Sequence, residues 1–363
     1  MGNKKYFYIT LIFSLFSSLN IQALNLKLKI VSGKKDSVIV GYYYGSAKNA
    51  YLIKKIALSN GVGEIKADSL PAALFFLIYD HKKYDFLAEK GESITMEYKD
   101  PDFYKTVKIK GSNVAKGFVE YVNFLSDKKE AATKDTTQAN KIGKEVQEYC
   151  RKKIEETGDN ILSKFLQFVQ PLQLPDMAPN DRFDYVKAHF FDNANIFDPD
   201  MLHTPLVEDK LKEYLSFLIE EPDSICKDID NLLIKSYKDN SLFRFMLVTT
   251  LQHYLQSKQV ISENIWVHIA DKWYIPFASW SDLAEMERLK YQVKARKPNL
   301  IGCLAPDFDM TVLSKEDMLK AKSDTAALNN VYQGFDSKFS SQQSNDYTLL
   351  IFFEADCSHC KEQ

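Results

Sequence analysis

The patterned part of the chain begins with strictly alternating apolar and polar residues over Leu24–Ile30. A period of two is typical of a strand with one buried face. Asn60-Gly61, a pair typical of tight turns, predicts a hairpin between two further strand-like segments. We therefore predict a small antiparallel β-sandwich over residues 24–111. The expected strands are Leu24–Ile30, Ser37–Tyr44, Tyr51–Leu58, Gly63–Ala67, Leu74–Tyr79, Tyr84–Ala88, Ser93–Tyr98 and Val107–Ile109.

The apolar spacing changes after Gly111-Ser112-Asn113. Apolar residues now recur every three or four positions, which is the spacing of one helix face. This spacing predicts an all-α domain over residues 112–298. The polar segment 126–140 fits either a solvated helix surface or a loop. The sets that carry the helical spacing are Phe118, Tyr121, Val122 and Leu125; Leu211, Tyr214, Leu215 and Leu218; Ile229, Leu232, Leu233 and Tyr237; and the segment Phe243–Tyr254.

The first 23 residues are typical of a cleaved export signal. Lys4 and Lys5 precede the apolar stretch Tyr6–Leu19, and Ala23 ends a plausible cleavage site. The alternative is an uncleaved anchor, but the stretch is shorter than the roughly 20 apolar residues that span a bilayer. We therefore expect a protein of the periplasm or cell envelope, with no stable membrane span after cleavage near Ala23.

Composition narrows the possible functions. Of 363 residues, 47 are basic and 49 acidic, and the net charge is -2. Without a basic patch, the sequence offers no electrostatic footprint for nucleic acid. Five cysteines are too few for a disulfide-built scaffold of this length. Cys357 and Cys360 alone are close in sequence, and export places this pair where disulfide chemistry is possible.

The candidate catalytic residues are Cys357, His359 and Cys360. The apolar run Tyr347–Phe353 precedes them and fits a central strand buried on both faces. A cysteine that opens the following helix has a stabilised thiolate, so Cys357 is the expected nucleophile. Cys360 lies one turn further on and can resolve a mixed disulfide. His359 can lower the pKa of the Cys357 thiol by charge or hydrogen bonding.

Two alternatives apply to the same pair. Cys357 and Cys360 could be half of a zinc site, although the scattered Cys150, Cys226 and Cys303 provide no second pair. They could also form an inert structural disulfide. The five other histidines show no metal-ligand spacing, so we expect neither a metal nor a cofactor. These histidines are His81, His189, His203, His253 and His268.

Leu349–Lys361 resembles the active-site strand and turn of thioredoxin-like proteins of the TlpA type. Ile301–Phe308 resembles the "G-x-x-A-P-D-F" entrance of such redoxin domains, and the two motifs occur in the expected order. The whole architecture resembles exported Bacteroidetes proteins with a β domain and a helical domain before a thioredoxin-like domain. The resemblance implies a multidomain α+β chain whose thioredoxin-like α/β domain starts at residue 299.

The chain departs from that family in several ways. Asp356 replaces the usual Trp before the first cysteine, and the intervening dipeptide is Ser358-His359. A carboxylate at Asp356 opposes thiolate formation, whereas His359 favours it. The family's later strands and cis-proline loop have no counterpart before Gln363. We therefore expect residues 299–363 to be an incomplete thioredoxin-like domain whose activity needs its C-terminal half.

The expected function is thiol–disulfide exchange with cysteine-containing exported proteins, supported by an upstream membrane redox partner. The sequence leaves the direction open, because both reductants and oxidants occur among similar proteins. A non-catalytic envelope binding or structural protein with a vestigial redox end is the alternative. A thiol peroxidase is a third candidate, although Phe353–Asp356 does not match the usual approach to a peroxidatic cysteine.

Overall fold

The computed structural model describes residues 24–67, 70–134, 139–219, 221–304, 307–310, 316, 319 and 337–342. The predicted export signal at residues 1–23 and the apolar run at 347–353 lie outside these residues. The chain divides into two compact units, Met1–Ala278 and Ser279–Gln363.

Eight strands and one short helix form the first part of the larger unit. Their bounds are β1 Leu24–Val31, β2 Ser37–Tyr44, β3 Ser46–Ala57, β4 Val62–Ala67, β5 Ala73–Tyr79, β6 Lys82–Ala88, β7 Ser93–Lys99, α1 Phe103–Thr106 and β8 Lys108–Lys110. One sheet has the order β4-β1-β7-β8 and the other β3-β2-β5-β6. Neighbouring strands are antiparallel except β1 and β7, which run parallel. The predicted sandwich is confirmed, with one parallel pair inside its first sheet.

The core of the sandwich is apolar because alternate residues of both sheets point inward. Leu26, Phe75, Phe86 and Met96 are completely buried in this core. β5 is buried along almost its whole length, on both faces. Its second face is covered from the helical side, where residues 199–203 contact β5 and β2. The continuous apolar sequence of β5 therefore reflects burial between the other sheet and the helices.

The Asn60-Gly61 turn forms as predicted, but the expected hairpin does not extend from it. Both residues have positive φ angles, 51° and 76°. Beyond the single bridge Ser59–Val62, β3 and β4 separate into different sheets. β4 pairs with β1 instead, and the Ile30 N–H donates to the Gly61 carbonyl oxygen at 2.8 Å. The hairpin pairing was wrong because a turn determines the local reversal of the chain, not the partner of the next strand.

The rest of the larger unit is helical, as predicted. Its α-helices are α2 Asn113–Lys134, α3 Ala139–Thr157, α4 Ile161–Phe168, α5 Arg182–His189, α6 Leu206–Phe217, α7 Pro222–Ser236, α8 Asn240–Gln256, α9 Ser262–Ile269 and α10 Ile275–Phe277. A π-helical segment, Ala270–Tyr274, lies between α9 and α10. The polar segment 126–140 belongs to α2 and α3 where it is described, so its helical interpretation is confirmed there.

The β-to-helix junction is built from the predicted Gly111-Ser112-Asn113 segment. Gly111 has φ +86°, and a Cβ there would overlap the Ser93 carbonyl. The Ser112 hydroxyl accepts from the Ala115 N–H at 2.9 Å and donates to the Glu92 carboxylate at 2.8 Å. Ser112 thus caps α2 and ties its first turn to the sandwich.

The smaller unit contains α11 Leu283–Arg296, the short strands β9 Asp309–Met310 and β10 Ser337–Lys338, and a 3₁₀ turn at Phe339–Gln342. Within the described ranges, no helix combines the length and apolar character needed to cross a membrane.

Candidate functional site

The predicted redox residues Cys357, His359 and Cys360 lie outside the described residues. The structure instead describes the entrance motif of the same unit, apart from Ala305 and Pro306, and the short segment 337–342 that precedes the apolar run.

The entrance motif is bound to that preceding segment by several contacts. The rings of Phe308 and Phe339 stack with centroids 5.0 Å apart and 12° between their planes. Asp307 accepts hydrogen bonds from the backbone N–H of Ser340 at 3.0 Å and from its hydroxyl at 2.7 Å. These bonds lower the pKa of the Asp307 carboxyl. β9 and β10 pair antiparallel beside them, with Met310 opposite Ser337. Two segments far apart in sequence therefore form one local structure.

Three cysteines are described, and all three are free thiols. Cys150 and Cys226 are buried, and burial raises the pKa of Cys150 to about 11 and that of Cys226 to about 12. Both thiols are therefore protonated and shielded at neutral pH. Cys303 is exposed within the entrance motif. Among the described thiols, Cys303 is the one that external reagents can reach.

A charged cluster surrounds Asp230 on α7. One carboxylate oxygen of Asp230 accepts from the indole N–H of Trp273 at 2.6 Å and from Nε2 of His268 at 2.9 Å. The other oxygen accepts from the Lys272 ammonium at 2.7 Å. Burial by itself raises the pKa of Asp230, but these three donors outweigh it and lower the pKa. The cluster holds α7 against α9 and the π-helical segment.

The sequence contains only part of the signal for this cluster. His268 and Lys272 have the i, i+4 spacing of one helix face. Nothing in the spacing indicates that Asp230, on another helix, meets that face. The bond to Asp230 gives His268 a structural partner on a neighbouring helix.

The other described histidines also have no cluster of metal-ligating side chains around them. His189 contacts the Asp192 carboxylate at 2.7 Å, and the rings of His253 and Tyr254 lie edge to face. The ring of His203 lies 6.1 Å from that of Tyr42 and 6.0 Å from that of Tyr44. Among the described residues, no group of three histidine, cysteine or acidic side chains could hold a metal ion.

Two of the clefts on the larger unit are bordered by α6. One is strongly polar and encloses about 620 Å³ where β3 meets α6 and α8. It is lined by Lys48, Glu208, Lys212, Leu215, Ser216, Leu218, Thr249, Gln252, His253, Tyr254, Gln256, Ser257 and Gln259. The other lies between α5 and α7, encloses about 480 Å³, and combines aromatic rings with charges of both signs. Both volumes are in the range of small-molecule sites.

Residues 126–299 match a protein family described as a domain of unknown function (DUF5106). The match covers most of the helical region and less than half of the chain, so this region is similar to that family. The cleft between α5 and α7 lies entirely within the matched residues, whereas Cys357 and Cys360 lie beyond them. No curated protein matches the chain.

Proposed function

We propose that the chain is a thiol–disulfide oxidoreductase of the cell envelope. The Cys357 thiolate attacks a disulfide sulfur of an exported client and forms a mixed disulfide, and the first client thiolate leaves and takes up a proton. The Cys360 thiolate then attacks the Cys357 sulfur and releases the second client thiolate. Two electrons pass from the dithiol to the client, and the reverse sequence oxidises a client dithiol. His359 stabilises the Cys357 thiolate.

The proposal rests first on the order of residues: an apolar run, a short polar lead and a CxxC pair with a histidine inside it. The observation that best supports it is the contact between the entrance motif and the segment before the apolar run. Phe308 stacks on Phe339, and Asp307 accepts two hydrogen bonds from Ser340. Residues of the entrance motif therefore contact a described segment that precedes the apolar run in the sequence.

The remaining thiols allow a sharp test. Cys150 and Cys226 are buried, so replacement of the exposed Cys303 by serine removes the one accessible competitor among the described cysteines. In this Cys303→Ser background, we expect Cys360→Ser to trap a mixed disulfide at Cys357. Each variant is made in the full-length protein and is incubated with glutathione disulfide or with envelope extract. Adducts are detected by intact mass and by non-reducing gels.

The matched control is the Cys303→Ser chain with both Cys357→Ser and Cys360→Ser, which we expect to form no adduct. A His359→Gln variant should raise the pKa of the Cys357 thiol, measured by the pH dependence of its alkylation. The proposal is wrong if the Cys360→Ser variant traps no more adduct than the double variant. That result would favour the alternative in which the β and helical domains bind a ligand and the redox end is vestigial.

A further inference from the structure

The cleft between α5 and α7 has an aromatic wall. Phe191 and Phe197 meet edge to face with centroids 5.6 Å apart, and the Phe191 ring lies 4.7 Å from that of Tyr214. Buried Leu232 closes the apolar side. The full lining consists of Asp184, Lys187, Ala188, Phe191, Asp192, Phe197, Tyr214, Asp228, Asn231, Leu232 and Lys235.

Groups that already have a partner within the protein form one part of the lining. The Lys187 ammonium lies 2.7 Å from the Asp228 carboxylate, and both side chains are about four-fifths buried, with 20% and 18% of their surface exposed. Asp192 contacts His189 at 2.7 Å. These groups are occupied within the protein, so they are poor partners for a charged ligand.

Two opposite charges in the lining have no ion-pair partner among the residues that the structure describes. The Asp184 carboxylate is exposed and forms no ion pair with any residue that the structure describes. The Lys235 ammonium lies 5.5 Å from the centre of the Phe197 ring and has no carboxylate partner in the described ranges. The amide of Asn231 adds a neutral donor and acceptor beside them. Within the described part of the chain, the cleft thus offers one unpaired carboxylate, one unpaired ammonium and an apolar wall.

We propose that this cleft binds a zwitterion with an apolar side chain, namely a free α-amino acid or a short peptide. The ligand's ammonium pairs with Asp184, its carboxylate pairs with Lys235, and its side chain packs on Phe191 and Phe197. Charge-assisted hydrogen bonds of this kind are stronger than neutral ones, so a ligand with both charges is preferred over a ligand with one. The site lies in the helical region and does not depend on the redox chemistry proposed above.

The test is isothermal titration of the full chain with L-phenylalanine and glycyl-L-phenylalanine. N-acetyl-L-phenylalanine lacks the ammonium, and L-phenylalaninamide lacks the carboxylate. We expect at least one zwitterion to bind, and each of the two analogues to bind about tenfold more weakly. No saturation by either zwitterion up to roughly 10 mM overturns the proposal.

Two variants then assign the groups. Asp184→Asn should weaken zwitterion binding about tenfold and leave the N-acetyl analogue unaffected, because that analogue has no ammonium to lose. Lys235→Gln should weaken zwitterion binding similarly and leave the amide unaffected. Both side chains are exposed, so neither change should disturb folding. The control is Lys238→Gln, an exposed lysine of the same sign outside the cleft. Unchanged zwitterion affinity in both cleft variants would contradict this site.

Discussion

The backbone of Gly45 lies directly against the aromatic ring of Phe245. A Cβ on Gly45 would overlap this ring, and the glycine has φ +70°. Its N–H donates to the Leu202 carbonyl oxygen at 2.6 Å, and its own carbonyl accepts from the Glu208 N–H at 2.8 Å. The turn between β2 and β3 is therefore anchored to the helical region through one residue that has no side chain.

We expect Gly45→Ala to lower the free energy of unfolding by about 2–4 kcal/mol. The new methyl group must displace Phe245 from a packed position, and alanine is strained at a positive φ. Urea denaturation measures the change. The control is Gly143→Ala in α3, where no atom lies within 4 Å of the added Cβ. That substitution should stabilise the protein by about 0.5–1 kcal/mol. Equal stability of the two variants would show that the Gly45 contact is not tight.

Asp230→Asn should destabilise the protein by about 1.5–3 kcal/mol, because three donors lose a charged acceptor. The pH dependence should change as well. The pKa of Asp230 is lowered in the folded state, so its stabilisation is present above the ordinary aspartate value of 3.8 and is lost as the pH falls further. We therefore expect the free energy of unfolding of the variant, measured by urea denaturation, to fall less steeply with decreasing pH below 3.8 than that of the wild type. Asp127→Asn, at an exposed position of α2, should match the wild type within about 0.5 kcal/mol.

His203 should make stability depend on pH near neutrality. Burial lowers its pKa below the usual 6.5, although Asp200 and Asp239 act in the opposite direction. The unfolded chain therefore binds a proton first, and stability falls as the pH decreases through 6.5. The rings of Tyr42 and Tyr44 face the imidazole. Protonation thus charges a mostly aromatic contact between the sandwich and the helices.

The measurement is the thermal midpoint of His203→Gln and of the wild type between pH 8 and 5. We expect the variant to lose part of the wild-type slope. Burial also lowers the pKa of His253. His253 should therefore contribute to the pH dependence that remains in the variant. His81→Gln, at an exposed position of the turn between β5 and β6, serves as the control for the loss of one histidine side chain. An unchanged slope in His203→Gln would contradict the assignment.

Local patterns predicted the elements of this fold well. The alternation that begins at Leu24 predicts the strand observed at Leu24–Val31, and the helical spacing around Leu232 predicts α7. Both patterns predict their elements because each element buries one face. The residues of that face recur at a fixed spacing of about two positions in a strand and about 3.6 in a helix. The redox residues Cys357, His359 and Cys360 remain a prediction from sequence.

The sequence by itself thus determined the sandwich, the helical region and the positions of most strands and helices. Only the tertiary structure decided which elements meet: β1 beside β7 in parallel, β4 in a different sheet from β3, and Asp230 beside His268. The charges that line the cleft between α5 and α7 were also brought together at this level. The physical reason is that pairing between distant segments depends on the packing of the whole core. The spacing of apolar residues within one segment does not indicate which distant segment will pair with it.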